Sequence, residues 1–252
     1  MFGLPPDIVA WLALSIFAGG LAKGISGVAL PIVALSIALN FVEPRVGLAL
    51  VSLPIVVTNI WQTFGGGDFI RPLKRFWPVA LMLVIGLYIG SELINVFEAP
   101  VLFAVMGITA IVFTVSQFYK PDAPPLHPRT EKILGPFVGI VSGLMGGMTS
   151  VWGPPIMMFL FMLKMDKDMW VRSITGLYLL GGIPLMLFYL QNGVLGGDML
   201  WLSVAACIPG MAGIVIGERL RRYIDEALFR RLLLLTIFVF GLNMIRRALM
   251  GM

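Results

Sequence analysis

Histidine and cysteine are almost missing from this chain, with one of each in 252 residues. Cys207 lies in an apolar run, so no internal disulfide can form, and His127 sits in a polar loop. That inventory excludes a Cys/His metal site, a HExxH-type metalloprotease pair and a histidine-based triad. No base stands near Ser26 or Ser150 for serine-protease chemistry, so the chain reads as a non-enzyme that calls for no cofactor. Charge is scarce as well. Asp, Glu, Lys and Arg make up 12% of residues, about half the share in a soluble domain. No Asp or Glu falls in the middle of an apolar run. A carboxylate proton relay or a sodium site with an acidic ligand is therefore not visible, and cation transport is disfavoured.

What the chain has instead is hydrocarbon. Hydrophobic residues make up 59% and mean hydropathy is +0.97. Apolar runs of about 18 or more residues recur from end to end, and each is a candidate membrane span. The first run lacks a basic leader, so no cleavable signal peptide is expected. The net charge of +5 does not point to nucleic acid. The basic residues sit mainly at span ends, where they set topology and meet lipid headgroups.

Eight hydrophobic elements are expected, at 7–39, 43–66, 72–95, 98–119, 132–163, 169–192, 198–218 and 227–250. The proline-rich stretch Lys120–Pro128 cannot continue a helix and separates two halves. The expected division is a membrane repeat at 1–119, a linker at 120–131 and a second repeat at 132–252. The halves resemble each other. Gly20-x-x-x-Gly24-x-x-Gly27 with Pro31 is echoed by Gly143-x-x-Gly146-Gly147 with Gly153-Pro154. Pro54 pairs with Pro184, the turn Gly66-Gly67-Asp68 with Gly196-Gly197-Asp198, and Gly86-x-x-x-Gly90 with Gly213-x-x-x-Gly217. Constant order and near-constant spacing argue for an internal duplication.

The first and fifth elements are odd lengths, too long for one upright span and too short for two. Each carries its glycine–proline break near the middle, where helix formation is weakest. Each is either one long, kinked span or a re-entrant hairpin. If all eight elements cross, Lys and Arg outside the spans divide eight against nine. If the two broken elements return to the side they came from, the loops at 67–75, 119–132, 164–172 and 219–231 share one side. They hold fourteen Lys and Arg, and the other side keeps Arg45, Arg246 and Arg247. The positive-inside rule favours the second arrangement, which makes the halves inverted repeats.

A break at membrane depth leaves backbone groups without helical partners, and is tolerated where protein or a water-filled cavity satisfies them. Half-helices that begin there point N–H groups inward, a recurrent way to hold anions in transporters. The candidate binding residues are Lys23, Gly24, Ser26, Gly27, Asn59, Gly147, Thr149, Ser150, Trp152 and Gly153. Lys23 is a charge inside the first break whose counterpart is Gly146, and a lysine there fits an anion path. The alternatives are plain ones: small residues for helix packing, and a lysine that snorkels to an interface. Thr58, Asn59 and Gln62 bring polarity to the second element; Ser173, Thr175 and Tyr189 bring it to the sixth.

The paired breaks, together with the glycines before Asp68 and the Gly-x-x-x-Gly of the third element, resemble the TauE/SafE sulfite exporter family. The resemblance runs from about Ala10 to Arg247. It implies an eight-helix permease of the bacterial inner membrane that exports sulfite, an organosulfonate or a related small anion. Import, another organic anion, or a membrane assembly role are the alternatives. Expected partners are the anion and membrane lipid, with no nucleic acid; a second copy of the chain is the one protein partner left open. Ser150 stands where the family usually has glycine, which sets the two halves apart.

Overall fold

The computed structural model describes residues 4–65, 70–116, 126–223 and 225–251. The first Gly-Gly-Asp turn and most of the proline-rich linker lie outside them. The described residues form ten helices and no strand. They are α1 (Pro6–Ser26), α2 (Leu30–Ala38), α3 (Pro44–Gly65), α4 (Ile70–Val96) and α5 (Ala99–Ser116), then α6 (Pro128–Thr149), α7 (Gly153–Met162), α8 (Lys167–Gln191), α9 (Asp198–Leu220) and α10 (Glu226–Leu249). Seven of them contain stretches long and apolar enough to cross a membrane. The protein is a multi-pass membrane protein.

Ten helices replace eight elements because the first and fifth elements break where glycine and proline predict it, after Ser26 and after Thr149. The fifth also starts early, at Pro128. There the His127 ring accepts the Arg129 N–H (3.3 Å) and a proline opens the first turn, where its missing N–H costs nothing.

Both broken elements fold back on themselves. A Cβ on Gly19 would lie 2.7 Å from the Leu30 carbonyl, so α2 begins against α1. Trp11, early in α1, stacks on Phe41, just beyond α2, at 5.1 Å. In the second copy the Leu126 N–H reaches the Met162 carbonyl (3.3 Å), which brings the end of α7 back to the start of α6. These are hairpins, not kinked spans.

Helix ends consequently sort onto two faces. One face is tied by Arg75 to Glu131 (2.7 Å), Trp61 to Glu218 (3.3 Å) and Thr63 to the Thr175 carbonyl (3.2 Å). The other is tied by Arg45 to the Ile94 carbonyl and Asn95 to the Asn192 carbonyl, both at 3.0 Å, and by Arg247 to the Leu39 carbonyl. The ends of α3, α7 and α9 and the starts of α4, α6 and α8 therefore lie on the first face.

Packing crosses the halves. The glycine stripe of α1 faces the glycine stripe of α9, and that of α6 faces α4, so bare backbones meet. Exchanging the halves maps α1·α9 onto α6·α4, α3·α9 onto α8·α4, and α3·α8 and α5·α10 onto themselves.

Candidate functional site

The two breaks share one local construction. Gly27 takes a left-handed conformation (φ 89°) and its N–H returns to the Lys23 carbonyl (2.6 Å). Ser26 Oγ donates to the Ala22 carbonyl (2.7 Å) and accepts the Val28 N–H (3.4 Å). Ser150 repeats the left-handed turn (φ 57°) and returns its N–H to the Gly146 carbonyl (2.7 Å). Thr149 Oγ1 donates to the Met145 carbonyl (2.7 Å) and accepts the Val151 N–H (3.2 Å). Neither α2 nor α7 has a side-chain cap at its start, and each carries proline in its first turn.

The breaks meet at a central cavity of about 20 Å³, room for one water. Val28 and Pro31 line it from the first break; Ser150, Val151, Trp152, Gly153 and Pro154 line it from the second. Lys23, Asn59 and Tyr178 bring its polar groups from three further places on the chain.

Lys23 is 2% exposed. Its Nζ donates to Thr58 Oγ1 (2.9 Å) and to Asn59 Oδ1. Both acceptors are neutral, and no Asp or Glu lines the cavity. Thr58 spends its own proton on the Pro54 carbonyl (2.6 Å), so it can only accept from Lys23. Asn59 is fixed from both ends, because its Nδ2 donates to the Tyr178 carbonyl (3.0 Å). As an ammonium the group has a third N–H beyond these two bonds.

Trp152 is 3% exposed, and its Nε1 has no hydrogen-bond partner. Buried polar groups are nearly always paired, and an unpaired donor costs about 1–3 kcal/mol. The indole lies on Gly181, where a Cβ would come within 2.9 Å of the ring, and it meets Tyr178 edge-on at 5.9 Å. The Tyr178 hydroxyl rests against Gly153, in the space that a Cβ there would fill.

Beyond Val28 opens a recess of about 670 Å³, lined by Ser26, Gly27, Trp61, Gln62, Thr175, Glu218 and Arg221 among others. Val28 borders both spaces. The recess sits on the first face, between the ends of α3 and α9 and the start of α8.

Of the residues expected to bind, Lys23, Asn59, Ser150, Trp152 and Gly153 converge on the cavity. Ser26 and Gly27 line the recess. Thr149 faces a separate small apolar cavity with Leu35, Met106 and Phe240. Gly24 and Gly147 line neither. They are contact points between helices: a Cβ on Gly24 would be 2.9 Å from Gly217 Cα, and one on Gly147 would be 2.6 Å from Ser91 N. Thr58 and Tyr178 belong to the site without having been assigned to it. Tyr189 is also prominent: its hydroxyl donates to the Gly147 carbonyl (2.7 Å) and pairs with Ser150 Oγ (3.3 Å). The repeat offers a signal for it, since Tyr189 follows Pro184 by the spacing at which Asn59 follows Pro54. Nothing in the sequence marks Tyr178.

No curated protein and no solved structure matches this chain. One family does, the sulfite exporter TauE/SafE, over residues 12–244. That stretch takes in both breaks, the cavity between them and nearly every helix, and the chain belongs to the sulfite exporter TauE/SafE family.

Proposed function

We propose that the protein exports a small sulfur-containing oxyanion, such as sulfite or an organosulfonate, across the bacterial inner membrane. The observation that carries this reading is Lys23: a buried amine held by neutral oxygens, at the junction of two helix breaks, in a cavity with no carboxylate. A buried cation without a counter-ion is costly, and an arriving anion removes that cost. Trp152, whose Nε1–H has no partner, and Gly153, which opens α7, line the same cavity and add donors to it in this reading. Gly153 is the one N–H donor among the first three residues of α7, because Pro154 and Pro155 have none.

The two halves act as inverted repeats, with the basic face toward the cytoplasm by the positive-inside rule. The anion gathers in the recess, passes Val28 and reaches Lys23. The cavity is too small for it in this conformation, so loading requires the breaks to part. Release to the other side follows when the second break yields, the usual logic of a site at a repeat interface.

Proteoliposome flux tests the reading. Wild-type protein should move sulfite faster than liposomes without protein, and Lys23→Met should not. A melting-temperature screen with sulfite, thiosulfate, sulfoacetate, taurine and carboxylates ranks the cargo, because a ligand that binds only the folded state raises its stability. Equal flux through wild type and Lys23→Met, with both correctly inserted, would sink the proposal.

A further inference from the structure

We infer that the central site accepts its cargo as a monoanion, so that sulfite is carried as hydrogensulfite and dianions of the same shape are refused. This rests on the anion-carrier reading above and goes on to fix the charge.

The argument is a charge count around one cavity. Lys23 is the one group in the lining that can carry a positive charge. Every other polar group in the lining is neutral: Asn59, Ser150, Trp152 and Tyr178. The arginines nearest the ends of the bundle are spent elsewhere. Arg45 and Arg247 serve backbone carbonyls on the far face, and Arg75 serves Glu131. Arg221 lines the recess, outside Val28. A monoanion against Lys23 closes to a neutral pair. A dianion leaves one negative charge uncompensated in surroundings of isoleucine, valine, phenylalanine and proline, the most expensive thing to bury in a low-dielectric interior.

Donor supply points the same way. The donors among the lining residues are few: Lys23, Trp152 with its unpartnered indole N–H, and Gly153 with its backbone N–H, while Asn59 presents its carbonyl oxygen to Lys23. The remainder of the lining, with Val28, Ile32, Ile55, Phe113 and Val151, is hydrocarbon. An anion with one uncharged corner can rest that corner on hydrocarbon. A hydroxyl corner, as in hydrogensulfite, can also donate to Ser150 or Tyr178. A sulfate cannot offer an uncharged corner.

Isosteres decide it at one fixed pH and ionic strength. Methanesulfonate and sulfate have nearly the same shape and differ by one charge; chlorate is a second monoanion. Isothermal titration of the purified protein should find methanesulfonate and chlorate bound more tightly than sulfate, on the order of a hundredfold. Trp152→Phe keeps a ring on Gly181 and removes one donor, and should weaken methanesulfonate by about tenfold. Lys23→Met should abolish binding of all three. Sulfate binding as tightly as methanesulfonate overturns the monoanion rule and leaves the anion carrier standing. Binding that survives both substitutions overturns the assignment to this cavity. A protein that binds none of the three and moves no sulfite in liposomes removes the carrier reading itself.

Discussion

At the first break a serine hydroxyl bonds back to Ala22 and catches the Val28 N–H; at the second a threonine does the same for Met145 and Val151. Each break turns through one left-handed residue, and each short helix opens with proline. The backbones are copies, but the side chains are not. Lys23 has Gly146 as its counterpart, Ala29 has Trp152, and Asn59 has Tyr189. Around the first break a lysine bonded to an amide lines the cavity. Around the second, Tyr189 is fully buried and fills the corresponding place with its own ring and hydroxyl. The same backbone turn is built twice, and the side chains around it differ. In the cavity lining the lysine comes from α1 and the unpaired indole from the residue just before α7, so the candidate site draws on both breaks.

The largest effect should fall where the copies are most alike. A Cβ on Gly20 would run into the Gly210 carbonyl, and one on its counterpart Gly143 would run into the Leu83 carbonyl. Backbone cannot move aside as a side-chain tip can, so valine at either position should cost at least about 3 kcal/mol. Both Gly20→Val and Gly143→Val should fail to give a monodisperse protein on size-exclusion chromatography. Survival of only one of them would show that the two contacts are not equivalent.

The next effect is large and one-sided. Lys23→Met should reduce sulfite flux by roughly a hundredfold or more, because it removes the one charge that faces the anion. Its melting temperature should not fall, because a buried charge leaves with the amine. Asn59→Leu should lose flux as well, since Asn59 and Thr58 aim the amine. Tyr189→Phe should do the opposite. It loses a buried hydrogen bond to the Gly147 carbonyl, about 1–2 kcal/mol of stability, while flux stays within a few-fold of wild type. A Tyr189→Phe protein as inactive as Lys23→Met would give Tyr189 a part in transport equal to that of Lys23.

Much of this comparison was open to the sequence, for reasons that differ by residue. Gly27, Pro31, Ser150 and Pro154 announce breaks because backbone preference is local. The fold-back was legible from lysine and arginine placement, a global count that needs no contacts. Gly24 and Gly147 were expected at the binding site and lie at helix contacts, because Gly-x-x-x-Gly looks the same whether it exposes backbone to a ligand or to another helix. The partner stripe on α9 or α4 decides, and it lies far along the chain. Tyr178 was invisible for the same reason. It reaches Gly153 because α8 packs against α7, and its carbonyl meets Asn59 because α8 also packs against α3. Lys23 was legible as a charge in the wrong place, but its neutral partners were not.

The smallest effect is the most direct test of how alike the breaks are. Gly27 and Ser150 hold the same left-handed turn, one with glycine and one without. A Cβ on Gly27 would meet nothing within 4 Å, so Gly27→Ser carries only conformational strain. That strain is about 1 kcal/mol, and it should lower the melting temperature by a few degrees at most. Ser150→Gly releases a similar strain but forfeits the contact from Ser150 Oγ to Tyr189, about 0.5–1 kcal/mol. The two terms nearly cancel, so its melting temperature should stay within about one or two degrees of wild type. If Ser150→Gly instead destabilises more than Gly27→Ser, the hydroxyl is holding the second break shut through Tyr189. The serine would then be a latch that the first break, with glycine at that position and a lysine beside it, does without.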